Sequence, residues 1–349
     1  MPVALSATTM RMEHNPSPID DTTLVQRLIE TEQDVVIPCG RIVKVTGLTT
    51  PSIARPVSIH GECPTATLQI TENAPAISCR ASSELFTVRD LTIVGTSPES
   101  SARDPSSKRS DAGQVGIRIS SCSKVRIENV QINNIAGTGL DLENAMFAFS
   151  TPQMGIFSNI SGANNFRLIH AHNFSEYLGF SNVQADNNVI GVEIESGNVT
   201  FSNSHFRFNT IGIKIDGRAS QNPCHGSFNG GSANHNVHNL VVQSCGLGEV
   251  FNGVDFLGDQ GGGITKDSVG IQIYNSRGIT IANGQIGSNI EVGAADPVTG
   301  LSSSNGPNAL FNNYIRSDLS NFIPPRLESG AILLKKGNYD ASGLVPWND

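Results

Sequence analysis

Short runs of alternating apolar and polar residues recur along most of the chain, and several share one form: a glycine, then apolar, any, apolar, any. This form occupies residues 116–120, 139–143, 191–195, 212–216 and 270–274. A period of two is a strand signal, since successive side chains of a strand point to opposite faces. The starts differ by 23, 52, 21 and 58 residues, so the two long gaps are about twice a repeat of 26 to 29. A weaker copy at 239–243 falls in the last gap. A second form, Ile or Phe, any, Asn, occurs at 127–129, 180–182, 201–203 and 281–283. The sharpest repeat lays 180–195 over 201–216, where Phe, Ser, Asn, Ile, Gly and Ile match at an offset of 21.

Repeats of about 20–30 residues that hold strands and no helix stack into a solenoid. Equivalent residues of successive turns then lie about 4.8 Å apart. The pattern therefore predicts an all-β fold, a single-stranded right-handed parallel β-helix. Ile117, Leu140, Val192, Ile213 and Ile271 form inward apolar ladders, and the asparagines at 129, 182, 203 and 283 line a tight turn. Ahead of the repeats, residues 20–32 predict a short capping helix, with Asp20 or Asp21 at its N-terminus and Leu24, Leu28 and Ile29 on its apolar face. Strands are expected at 34–38, 41–45, 57–60, 67–70 and 85–94. Residues 1–19, with Pro16 and Pro18, read as an arm, 20–335 as the β-helix domain and 336–349 as a tail. Loops at 96–114, 217–236, 258–269 and 293–309 interrupt the coil, and the glycines 261–263 form a flexible excursion with no helix behind them to cradle a phosphate.

Composition narrows the partners. A net charge of −8 argues against nucleic acid, which needs a basic surface. No apolar run approaches the ~18 residues of a membrane helix. The start of the chain lacks the charged-then-apolar layout of a secretory leader, so export by another route, trimming, or release within a particle is expected. The six cysteines contain no CxxC pair and read as reduced residues in the core. No cofactor motif or calcium loop is present. His225, His235 and His238 have no carboxylates at metal-ligand spacing, so no metal site is expected.

Three passages carry a family likeness. Residues 20–26 leading into Asp34-Val-Val-Ile-Pro-Cys-Gly40, residues 85–95 with Asp90-Leu-Thr-Ile-Val94, and residues 228–255 with Asn234-His-Asn236, followed by 270–286, resemble the pectate-lyase-like superfamily. The likeness is in particular to the β-helical tailspikes and depolymerases of bacteriophages, and it spans roughly residues 20–290. The resemblance implies a homotrimer that binds and cleaves bacterial surface polysaccharide (capsule or O-antigen), carried on a virion tail or found outside the cell.

The register also selects candidate chemistry. Third positions of the repeat, facing outward, are Arg118, Asp141, Glu193, Lys214, Val241 and Gln272; fifth positions are Ser120, Glu143, Glu195, Asp216, Gln243 and Tyr274. Glu195 and Asp216 fall on adjacent turns, with Glu193 and Lys214 beside them. Stacked carboxylates repel and raise one pKa, which is how an acid/base pair for glycoside hydrolysis is made. Glu195, Asp216 and Glu193 are thus the catalytic candidates. Lys214, Tyr274, Gln243, Gln272, Asp141 and Glu143 would contact substrate, the last pair two turns away. A second outward face holds an alternative cluster, Asp186, His205, Arg207 and Asp255, that suits a lyase: a base beside a cation that steadies a uronate enolate. His170 and His172 read as surface residues of a weak turn before Gly191. Ordinary solvation of outward polar residues, in a non-catalytic receptor-binding or structural β-helix, is the remaining reading.

Overall fold

The computed structural model describes residues 10–11, 20–50, 55–80, 84–100, 113–122, 124–145, 155–219, 224–258, 270–287, 289–293, 307–315, 326–327 and 332–340. The glycines 261–263 lie outside the described residues. The protein is a parallel β-solenoid whose strands pair with their counterparts one turn away, in one sheet of eleven strands and one of twenty. The glycine-led repeats are the strands of the first sheet. Val115–Ser120, Thr138–Glu143, Arg167–His172, Ile190–Ile194, Ile211–Asp216, His238–Gln243, Ile271–Tyr274 and Ile290–Gly293 stack in that order.

The second form builds the larger sheet. Its long strands, including Phe86–Val94, Val125–Asn133, Gly155–Ala163 and Val199–Arg207, each carry one residue of positive φ near the middle. These are Asp90, Asn129, Asn159 and Asn203, at φ of 54°, 55°, 53° and 49°. Asn and Asp tolerate this left-handed conformation because their short polar side chains bond locally. The bend divides the sheet into two faces, so each turn has three sides. The bent residues bond along the solenoid: Asn129 donates to Asp90 at 2.8 Å, Asn159 to Asn129 at 2.8 Å and Asn182 to Asn159 at 3.0 Å. The ladder expected at this turn is present, with Asp90 at its foot.

A second, fully buried ladder at another corner was not legible beforehand. Asn165, Asn188, Asn209 and Asn236 are at most 2% exposed. Each donates side-chain N–H to the next, at 2.9, 3.1 and 3.0 Å, and each also serves backbone groups at the corner. Buried backbone polar groups must be paired, and here the amides do it. Inside, Phe157, Phe180, Phe201, Phe228 and Phe251 stack with centroids 4.6, 4.5, 4.8 and 5.0 Å apart. That spacing is the rise of the coil.

Two expectations are corrected. The helix Thr22–Thr31 buries Val25 with Leu28 and Ile29, while Leu24 is 48% exposed. Asp20 accepts the Thr22 amide at 3.0 Å, and Asp21 instead pairs with Arg41 at 2.6 Å. The six cysteines are not reduced: Cys39–Cys63, Cys79–Cys122 and Cys224–Cys245 are disulfides, with Cα atoms 5.6, 6.3 and 5.3 Å apart. Stacking on successive turns brings cysteines distant in sequence to bridging distance. Parallel pairing also extends past residue 335, as Tyr339–Asp340 adds to Tyr314–Ile315. Breaking Cys224–Cys245 by Cys245→Ser is expected to cost about 3 kcal/mol, read as a lower denaturant midpoint; the residues between them number some 20.

Candidate active site

The outward face of the eleven-strand sheet gathers charge in two columns. Arg118, Asp141, His170, Glu193, Lys214 and Val241 stand in register through successive pairings, followed by Gln272 and Glu291. Ser120, Glu143 and His172 begin the neighbouring column, and Asp216, Gln243 and Tyr274 end it. Glu195 stands between His172 and Asp216, one residue past Ile190–Ile194, with its amide bonded to the carbonyl of Ala171 at 2.8 Å.

His170 and His172 therefore sit inside the columns. They belong to a full strand, Arg167–His172, that lacks the glycine of its neighbours. Leu168 takes that place, and its side chain fills the room above Gly139 and Gly162, where added Cβ atoms would meet it at 3.2 and 2.3 Å. The two imidazoles are stacked, with centroids 4.2 Å apart. His172 Nε2 is 3.0 Å from Asp141 Oδ1, and His170 Nε2 is 3.3 Å from Glu195 Oε2.

The charges are matched closely. Glu193 is 1% exposed and contacts both Arg167 and Lys214, the latter at 2.5 Å. Burial pushes its carboxyl up, but Arg167, Lys214 and His170 outweigh this and hold it down at about 2. Glu193 is thus a buried counter-ion beneath the face. Burial likewise opposes ionisation of Asp141, yet bonds and charge from His170 and His172 hold it far below the usual carboxylate range. Burial lowers His170, and the adjacent carboxylates of Asp141 and Glu195 raise it on balance. Asp216 accepts from the Arg218 amide at 3.1 Å and from its guanidinium Nε at 2.8 Å, with Lys214 Nζ at 3.9 Å. Arg167 and Arg218 were not singled out by the repeat, since they lie just outside its third and fifth positions.

The remaining candidates are placed as follows. Tyr274 is 7% exposed and donates its hydroxyl to Glu291 at 2.9 Å. Gln243 is buried beside Asp216, Gln272 is half-buried, and Glu143 accepts from Asn173 at 3.4 Å. A cleft of about 530 Å³ follows these strands at the corner of the coil, bounded by Tyr177, Asn198, Thr200 and His225. On the second face the alternative cluster divides. Arg207 makes two bonds to Asp186, at 3.0 and 2.7 Å. His205 bonds Ser232 at 2.9 Å, and Ser232 separates it from Asp255, which accepts the Gln285 amide at 2.9 Å. Ser161 and Ser232 are rungs of that column that the sequence motif did not show.

Among the described residues, two groups have ligand atoms that all lie within 4.8 Å of one another: Asp141 with His170 and His172, and His170 with Glu193 and Glu195. His225, His235 and His238 belong to neither.

The architecture is a parallel β-helix, each strand paired with its counterpart one turn away. No protein-family model and no curated protein matches the chain. Among solved structures, the A-module of mannuronan C-5 epimerase AlgE4 from Azotobacter vinelandii is similar over 92% of this chain and 91% of its own, at a TM-score of 0.66 and 15% identity. The enzymatically active domain of tailspike protein 2 from bacteriophage CBA120 is similar over 91% of this chain and 50% of its own, with a TM-score of 0.54 and 14% identity. The catalytic domain of a GH87 alpha-1,3-glucanase, in complex with tetrasaccharides, is similar over 95% and 71%, with a TM-score of 0.53 and 12% identity. At these identities the likeness establishes the fold. No helix among the described residues is long and apolar enough to cross a membrane.

Proposed function

We propose that this chain is a polysaccharide-degrading β-helix enzyme of the tailspike or depolymerase type, which hydrolyses glycosidic bonds of a bacterial surface glycan on the outward face of the eleven-strand sheet. The observation that carries this reading is the stack of Glu195 and Asp216 on adjacent turns within one bed of paired cations. Asp216, held by Arg218 and Lys214, is the carboxylate that attacks the sugar or activates water. Glu195, 22% exposed and in contact with His170, protonates the leaving oxygen. Adjacent turns stand about 4.8 Å apart, which suits the roughly 5–5.5 Å carboxyl separation of retaining glycosidases. Lys214, Gln243, Gln272 and Tyr274 line the path of the chain on one side, and Asp141 and Glu143 on the other. The fold is shared with a glucanase and a mannuronan epimerase, which by name act on polysaccharides, and with the enzymatically active domain of a phage tailspike, which supports the substrate class. Three disulfides fit an extracellular or virion setting, and a homotrimer is the expected assembly.

The test is incubation with a panel of capsular polysaccharides and O-antigens. New reducing ends without ultraviolet absorbance from an unsaturated uronate are the expected result. Absorbing products would replace hydrolysis by a lyase reaction. Glycan binding with no product over long incubation would leave a receptor-binding β-helix.

A further inference from the structure

We propose that Asp141, His170 and His172 form a binding site for one divalent first-row transition-metal ion, with zinc the simplest occupant. The donors come from two adjacent turns of the same sheet. His170 and His172 lie two apart on one strand, so both rings leave the same face. Their planes are 9° apart, and both present a nitrogen to Asp141 Oδ1: His172 Nε2 at 3.0 Å and His170 Nδ1 at 3.6 Å. Donors bonded to one zinc ion at ~2.0–2.2 Å in a tetrahedron stand roughly 3.4 Å from each other. These two separations lie either side of that edge, and the third donor pair is within 4.8 Å. Because the rings are stacked in parallel planes, binding turns at least one imidazole about its side-chain bonds so that both in-plane lone pairs meet the ion.

The surroundings are those of a ligand set held from behind. A ligating imidazole commonly donates its second nitrogen to a carboxylate, which fixes the ring. His170 has carboxylates in that position: its Nε2 lies 3.3 Å from Glu195 Oε2 and 4.0 Å from Glu193 Oε2, an ion-pair approach without a formed hydrogen bond. Asp141 has its second oxygen occupied by Arg118 Nε at 2.8 Å, which leaves Oδ1 for the ion. Two imidazoles and one carboxylate favour zinc, cobalt or nickel over calcium and magnesium, which take oxygen ligands. His172 is 17% exposed, so the fourth position opens outward. Without an ion, the same atoms form an ion-paired network between Asp141 and the imidazoles, and the experiment must separate the two states.

The site shares Asp141 and Glu195 with the hydrolysis reading, but its test reads metal rather than activity, so the two fail separately. Untagged full-length protein, stripped with chelator and shown to be folded by circular dichroism, is titrated with Co²⁺ and then Zn²⁺. We expect one cobalt per chain, the visible absorption bands of a low-coordinate N/O site, and displacement by zinc. His170→Asn and His172→Asn should each weaken uptake at least tenfold, and Glu195→Gln by about 10-fold or more. His235→Asn, whose ring stacks on Phe208 at another corner, should leave uptake unchanged. Folded wild-type protein that takes up no stoichiometric cobalt would overturn the proposal. So would uptake that survives both His170→Asn and His172→Asn, or that is lost in His235→Asn.

Discussion

Replacing Asp216 with Asn is expected to reduce glycan cleavage about 100- to 10,000-fold while glycan binding persists. The amide keeps the size of the side chain and can still accept from the Arg218 amide. It cannot carry the negative charge that attacks the sugar or takes a proton from water. Glu195→Gln should produce a loss of similar size, because an amide cannot protonate the leaving oxygen. The measurement is reducing-end release at saturating substrate, with binding followed separately, so that a fall in kcat is told apart from a rise in KM. Asp216 ends one strand and Glu195 directly follows another, and the core residues of those strands, Val192, Ile194, Ile213 and Ile215, are touched by neither change. Melting curves close to wild type are therefore expected for Glu195→Gln. Cleavage at the wild-type rate in either variant would remove the pair from the mechanism.

The second large effect concerns stability. Glu249→Gln is expected to stabilise the protein by a few kcal/mol at about pH 9 and hardly at all at about pH 4. Glu249 is 2% exposed. Its neighbour one turn back is Gly226, where an added Cβ would lie 2.8 Å from Glu249 Oε1, so the carboxyl occupies room that the glycine leaves. That oxygen has no hydrogen-bond partner. Burial pushes the pKa from 4.5 up to about 8, against a smaller opposing pull from the Gly226 backbone. A carboxyl with a raised folded-state pKa contributes fully below its unfolded value, and the contribution is lost as pH rises through the folded value. Wild-type stability should thus decline between about pH 4.5 and pH 8, and the uncharged amide should remove that decline. Denaturant midpoints for the two proteins across this range decide it. Parallel curves would show that Glu249 is ionised and paired.

The fold was largely written in the repeats. Val192 over Ile213 and Phe180 over Phe201 pair in the register that the 21-residue offset implied. What failed was recognition of turns whose glycine is replaced. Arg167–His172 is one, because Leu168 fills space that glycines on other strands vacate, and with it the histidines of the site were misplaced. The disulfides and the inner asparagine ladder were hidden for another reason. Each joins residues a full turn apart, and their partnership depends on the exact length of every intervening corner. The carboxylate column was visible, but the cations that neutralise it were only partly so: Arg218 follows the repeat and acts back on it.

The phenylalanine stack, with steps of 4.5–5.0 Å, has a consequence for how such a surface can change. The coil is a ruler graduated in whole turns. Groups on its outer columns can be brought closer or moved apart only in increments of one rung, because the inner rings and amides leave no intermediate setting. Duplication of a segment like 180–200, which carries one complete rung in 21 residues, would lengthen the face by one graduation and leave every other spacing intact. Adaptation to a longer or differently branched glycan is then a matter of counting turns and redecorating corners, and the register itself stays fixed.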